Sequence, residues 1–210
     1  MTLRQTRGYR WLMQQIPASA RAQADEALAW QAEALRDIPA DGQRARLVHD
    51  RLDVLQASFL AKRPEVAAQV SCRKGCGHCC HMWVGATREE GALLAAQVRS
   101  GAVVIDRQRL ARQAQAADPA AYFALSREEA RCVFLDDEGA CAVHRDRPSI
   151  CRLVLVASDP ELCRTADTAT RIQAVICPDT EVLASAALSA EDDPGPESGR
   201  SLAQVLLAAL

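Results

Sequence analysis

Aromatic residues are scarce. Trp, Tyr and Phe supply 4% of the 210 residues, and with alanine frequent this composition favours helices. Net charge is nearly absent at -2, so the molecule as a whole shows no electrostatic bias toward nucleic acid. Long apolar runs are missing too. Nothing approaches 18 residues, which excludes a transmembrane helix as an expectation. The sequence has no G-x-G-x-x-G, G-x-S-x-G or P-loop stretch and no internal repeat. At the N-terminus, Arg4, Arg7 and Arg10 lead into Trp11-Leu12-Met13, and Ala18-Ser19-Ala20 has the look of a cleavage site. Gln14, Gln15 and Pro17 interrupt that apolar run, which is too short for a signal segment, so a cytoplasmic location is expected.

Cysteine is plentiful: there are nine. The count is odd, which in a secreted chain would leave one thiol over. In a reducing compartment disulfides rarely persist, and such a pattern points to metal binding or catalysis. The densest stretch is Cys72-Arg73-Lys74-Gly75-Cys76-Gly77-His78-Cys79-Cys80-His81. Thiolates suit soft metals and imidazole suits zinc and iron, while the glycines let a loop aim several ligands inward. Burial of small hydrophobes explains one or two cysteines, not four at C-x3-C-x2-C-C spacing.

Along the chain, residues 1–17 read as a basic, mixed lead-in. The spacing of Leu28, Leu35 and Ile38 predicts a helix over 19–37, and Ala45, Val48, Leu52, Leu55 and Phe59 predict another over 42–61. The turn at Pro39-Ala40-Asp41-Gly42 makes the pair a helical hairpin. His49 is expected to be a buried helical histidine rather than a ligand. Thr87-Arg88-Glu89-Glu90 is a capping box that opens a helix to Arg99, and Gly101 ends it. A helix over 106–117 follows, then a break at Asp118-Pro119 and a short turn capped by Ser126. Val133-Phe134-Leu135 and Ala140 to His144, around Asp136-Asp137-Glu138-Gly139, predict a small β-hairpin carrying Cys132 and Cys141. Pro148 presets a first helical turn that aims Cys151. Asp159-Pro160 opens a short helix with Cys163, and 172–177 is either strand or irregular before Cys177. A helix over 179–189, an acidic linker over 191–199 and a short apolar helix with Leu202, Val205, Leu206 and Leu210 close the chain. That last helix either docks on the core or is free for a protein partner. The domain expectation is a helical hairpin at 1–70, a cysteine-cluster metal-binding domain at 71–190 and a linker with terminal helix at 191–210.

The cysteine loop, the paired Cys132 and Cys141, and Arg147-Pro148-Ser149-Ile150-Cys151-Arg152 together resemble the YkgJ-type cysteine-cluster family, a zinc- or iron-chelating domain. The similarity covers about 70–155, with His144 standing where an aromatic is common. The family includes flagellin lysine methylases in longer chains. The resemblance implies metal ligands at Cys72, Cys76, Cys79, Cys80, Cys132, Cys141 and Cys151, to which the wider reading adds Cys163 and Cys177. Of the cations around the thiols (Arg73, Lys74, Arg145, Arg147, Arg152), the motif members Arg147 and Arg152 are expected to serve the cofactor.

Seven thiolates exceed one tetrahedral ion, and nine would fill two four-thiolate sites with one left over. The cofactor is then an iron–sulfur cluster or zinc. The fold class expected is mainly α with a small β-hairpin, an irregular cysteine-rich core flanked by helices. The first functional reading is a metal-binding module with no assigned reaction. The alternative is an iron–sulfur methyl-transfer enzyme acting on a protein, by the methylase resemblance. Cys72-x3-Cys76-x2-Cys79 also matches radical S-adenosylmethionine spacing, but the alternating strands and helices of that barrel are missing. A zinc-finger-like nucleic-acid binder lacks its basic, aromatic face. No catalytic residue is assigned. His78, His81 and His144 are the candidates for acid–base work, with His81 expected to support a ligand.

Overall fold

The structure, a computed structural model, describes residues 5–73, 75–165, 172–191 and 199–210. It is mainly helical, as the alanine-rich sequence leads one to expect. Eleven α-helices run in order among the described residues. α1 (Arg7–Gln15), α2 (Ala18–Arg36), α3 (Gly42–Ala61) and α4 (Pro64–Ala67) precede the cysteine loop. α5 (Arg88–Arg99), α6 (Arg107–Gln115), α7 (Pro119–Phe123) and α8 (Arg127–Ala130) follow it. α9 (Ser149–Leu153), α10 (Pro178–Ser189) and α11 (Leu202–Ala209) complete the chain.

Local chemistry explains most boundaries. Asp41 caps α3 by accepting from the Gln43 amide (2.8 Å). Thr87 and Glu90 form the predicted capping box of α5, and Ser126 with Glu129 forms that of α8. Gly101, at φ +76°, takes the left-handed backbone that stops α5. The lead-in over 1–17 departs from expectation. Thr6 caps a helix there, and Tyr9, fully buried, donates its hydroxyl to Asp25 (2.8 Å). Arg7 and Arg10 hid that helix, because Tyr9 is its one buried residue.

Two hydrophobic layers result. The first joins α1, α2, α3 and α10 around Leu28, Leu52, Leu183 and Ala186. The second joins α5, α6 and α11 around Leu94, Leu110, Phe134 and Leu206. α10 therefore leaves the sequence neighbourhood of the cysteines to pack with the N-terminal helices. α3 ties the layers together. Its buried Arg44 pairs with Glu89 on α5 and donates to the carbonyls of Leu35 (3.0 Å) and Ile38 (3.2 Å), which end α2.

The terminal helix docks. Leu202, Val205 and Leu206 are buried against α5 and α6, and the Leu202 amide donates to the Val84 carbonyl (2.8 Å). Gly91 on α5 permits the approach, since a Cβ there would stand 2.7 Å from the Val205 carbonyl oxygen. Gly91→Ala is therefore expected to cost about 1–3 kcal/mol by overpacking. In a chain of this size that lowers the thermal midpoint by about 2–4 °C per kcal/mol, readable by calorimetry.

The β-hairpin is corrected. Among the described residues there is no sheet, and the 132–144 stretch keeps one antiparallel bridge, Leu135 to Cys141. Turns consume the length that strands need. The Leu135 amide bonds back to Cys132 (3.0 Å), His144 to Cys141 (3.1 Å), and the Asp136 carboxylate accepts from Glu138 (3.0 Å) and Ala140 (2.7 Å). The stretch before Cys177 is irregular, with a single bridge from Ala174 to Val156. The acidic linker falls mostly on 192–198, outside the described residues.

Candidate metal centre

Four short pieces bring the cysteines together. A 3-10 turn, His78–His81, carries Cys79 and Cys80. Glycines let it nest on the turn after Leu135. Gly75 and Gly139 both have positive φ (+82° and +78°), and a Cβ on Gly139 would stand 2.8 Å from the Gly75 carbonyl oxygen. The Cys132 amide then donates to the Cys80 carbonyl (2.7 Å), fixing the bridged turn beside the loop. α9 supplies Cys151, and a second 3-10 turn, Pro160–Thr165, supplies Cys163. Cys72 is held where the Val156 amide donates to its sulfur (3.4 Å), while Ser71 bonds the Val156 and Ser158 carbonyls (3.1 and 2.6 Å).

These pieces enclose a cavity of about 850 Å3 whose lining includes Cys72, Cys76, Cys79, Cys80, Cys132, Cys141, Cys151 and Cys163. Cys177 does not line it. That thiol is buried at the start of α10, where its carbonyl accepts from the Thr180 hydroxyl (2.9 Å). The thiols feel one another in two overlapping groups that share Cys79. Cys163 feels Cys79, Cys72 and Cys76, whereas Cys151 feels Cys132, Cys79 and Cys141. Cys80 joins the second group through Cys132 and Cys151, and Cys79 faces both.

Burial pushes up the thiols of Cys72, Cys141, Cys151 and Cys163, and takes Cys132 to about 11. Cys80 is raised chiefly because its S–H is committed to Cys79. The same hydrogen bond, against the effect of burial and with help from the Arg147 charge, brings Cys79 down to about 7. Among the described residues no three His, Cys, Asp or Glu side chains already stand in metal-holding geometry. The donor set nevertheless fits zinc or iron, because soft thiolates are what both metals take.

The arginines divide their work. Arg152 is buried and donates to Asp53 and to the carbonyls of Arg145 and Arg147 (3.1 Å for the last), so its guanidinium braces the loop that precedes α9. Among the described residues no carboxylate pairs directly with Arg147, although the charge of Asp53 is felt there. Its Nη1 lies 2.7 Å from the His144 Nε2 and donates to the His144 carbonyl (3.1 Å), and its charge is felt at Cys79 and Cys141. Arg73 is an exposed part of the lining, and Lys74 lies outside the described residues. His78 reaches Glu161 (3.3 Å). His81 is driven toward its neutral form by burial and by Arg127.

One support was not evident from the cysteine pattern. The fully buried carboxylate of Glu90 accepts from the Ser149 amide and hydroxyl (both 2.6 Å), from the Thr87 amide (2.9 Å) and lies 3.0 Å from the His49 Nε2. It thus pins the start of α9, two residues before Cys151, to α3 and α5. The capping-box spacing marked Glu90, but only as a cap of its own helix.

Residues 71–178, just over half the chain, match the family model CxxCxxCC, described as "Putative zinc- or iron-chelating domain". No curated protein and no solved structure matches the chain. The matched span reaches beyond the motif through 155 to take in Cys163 and Cys177, and on this evidence the chain belongs to the CxxCxxCC family.

Proposed function

We propose that the chain holds its metal in two four-thiolate sets. Cys72, Cys76, Cys79 and Cys163 form one, and Cys80, Cys132, Cys141 and Cys151 form the other. The observation that carries this reading is the lining of one cavity by eight of the nine thiols. Two tetrahedral zinc ions or two four-iron clusters each use eight thiolates, which leaves Cys177 as the one over. Arg147 offsets part of the negative charge such sets carry, and Arg152 holds the scaffold. Metal chelation accords with the family description, and iron–sulfur clusters are the finer form of the proposal.

The test is metal and acid-labile sulfide content after anaerobic purification, with an absorption spectrum. Iron and sulfide in equal amounts with a broad visible band support clusters. Colourless protein with about two zinc per chain supports the zinc form. Protein with neither metal, before and after reconstitution, overturns the reading.

The thiol pKa values set a pH dependence. Raised thiols are protonated at neutral pH in the metal-free chain, so metal must displace their protons, and affinity falls as pH falls. Cys79, at about 7, is the partly ionised member. Between pH 7.5 and 6.5, zinc affinity for a four-thiol set is expected to drop on the order of 1,000-fold or more, since each displaced proton contributes a decade per pH unit. Competition with a chromophoric chelator reads this directly, and a pH-independent affinity counts against thiolate ligation.

A further inference from the structure

The thiols do not account for the size of the cavity. Zinc sits about 2.3 Å from its sulfurs, within the space the thiolates already define, and a four-iron cluster is a compact inorganic core among its own ligands. A volume of about 850 Å3 lies instead in the range of about 300–1,000 Å3 typical of sites for small organic molecules. Water is a poor filling. At about 30 Å3 each, roughly 28 waters would fit, yet much of the wall offers them nothing to bond.

That part of the wall is apolar and uncharged. Met82, Val84, Leu110, Val133, Phe134 and Leu202 line it. Among the described residues no Asp, Glu or Lys lines the cavity, and its arginines are Arg73, which is exposed, Arg152, which is tied to Asp53, and Arg147, which faces the thiols. A ligand charge on the apolar side would be desolvated without a partner, which is costly. Most polar groups there are already used. The Tyr122 hydroxyl donates to the Ala130 carbonyl (2.9 Å), and the Ser201 hydroxyl accepts from the Gln204 amide (3.2 Å). Gln113 differs. It is 3% exposed, and its Nε2 donates to the carbonyls of Glu129 (2.6 Å) and Arg131 (2.7 Å). Those two bonds fix the amide orientation and leave the Gln113 carbonyl oxygen as an acceptor.

We infer that the cavity binds, beside the thiol sets, an uncharged and mainly apolar organic molecule whose N–H or O–H donor is received by the Gln113 carbonyl. The inference rests on the reading of the thiols as metal ligands, because it assigns to a second ligand the volume that metal leaves open. The bland alternative is a hydrated void that closes when metal draws the thiols together.

The test titrates the purified, metal-loaded protein with two shape-matched probes, indole, which carries an N–H donor, and benzofuran, which does not. Metal content is measured on the same sample. The expected result is saturable indole binding at submillimolar concentration, with benzofuran about tenfold weaker, followed by ligand-observed NMR. Gln113→Met should erase that preference. Val84→Phe, which adds bulk to the apolar wall and leaves Gln113 in place, should weaken both probes at least tenfold while metal content stays unchanged. This second variant keeps the test decisive if Gln113→Met fails to fold. Absence of saturable binding by either probe to fully metal-loaded protein overturns the inference, as does equal affinity for the two. A chain that takes up no metal fails the prior reading instead, and elemental analysis separates the two failures.

Discussion

Cys79→Ser is expected to empty the set to which Cys79 belongs, so that the metal content of the purified chain falls toward half, and to weaken zinc affinity at that set by more than about 100-fold. Loss of groups that merely orient a ligand costs about 10–100-fold, and Cys79 stands among the proposed ligands themselves. It faces both groups of thiols, and it is the thiol brought down to about 7, by the hydrogen bond from Cys80 and the charge of Arg147. It is thus the readiest of them to bind metal. Serine keeps the size but offers a hydroxyl that stays protonated at neutral pH. Because metal binding in such sites is also folding energy, the thermal midpoint of Cys79→Ser should fall part of the way to that of the chelator-treated wild type. Cys177→Ala is the control. Its thiol lies outside the cavity, so metal content should be unchanged. Elemental analysis of both variants checks the pair of expectations. Equal metal loss from both would break the division between the eight cavity thiols and the ninth.

What sequence could show was governed by range. Helix limits depend on neighbours three or four residues apart, so the stretches over 19–37, 42–61 and 88–99 were legible from caps and periodicity, and the structure gives Ala18–Arg36, Gly42–Ala61 and Arg88–Arg99. The cysteine loop was legible because its spacing is local too. The strands over 132–144 failed for a competing local reason: Asp136 bonds its own neighbours, and the chain curls before a ladder can form. Long-range facts were out of reach. Nothing in the pattern around Cys177 tells that α10 packs with α2 in the other layer. Nor could Arg152 be told from Arg147 in a shared motif, though one is spent on Asp53 and backbone carbonyls and the other faces sulfur. α1 was missed because one buried tyrosine, not a stripe, anchors it.

Glu90→Ala should be the most destabilising single substitution away from the cysteines. Breaking a buried charged cluster by removing one partner costs about 3–5 kcal/mol, because the groups left behind stay buried. Here those groups are the Ser149 amide and hydroxyl, the Thr87 amide and His49, whose Nδ1 is buried without a hydrogen-bond partner already. For a chain of this length the midpoint should fall by roughly 6–20 °C, at about 2–4 °C per kcal/mol. Glu90→Gln keeps an acceptor of the same shape and should lose less, about 1–3 kcal/mol. pH separates charge from shape in that pair. Burial acts to raise the Glu90 carboxyl, but the hydrogen bond and charge of His49 and the two bonds from Ser149 outweigh it and hold the carboxyl below the usual range. A depressed carboxyl contributes stability that is complete above the unfolded value of about 4.3 and disappears as pH falls through the folded value. The advantage of wild type over Glu90→Gln should therefore shrink as pH falls below about 4.3, as measured by urea unfolding across pH. An advantage that persists undiminished to pH 2 would mean the carboxylate charge contributes nothing. The metal content of Glu90→Ala carries the argument to function. With the start of α9 unpinned, Cys151 loses its position before Cys72, Cys76 or Cys163 does, so the set built on Cys132, Cys141 and Cys151 should empty first and the total fall toward half.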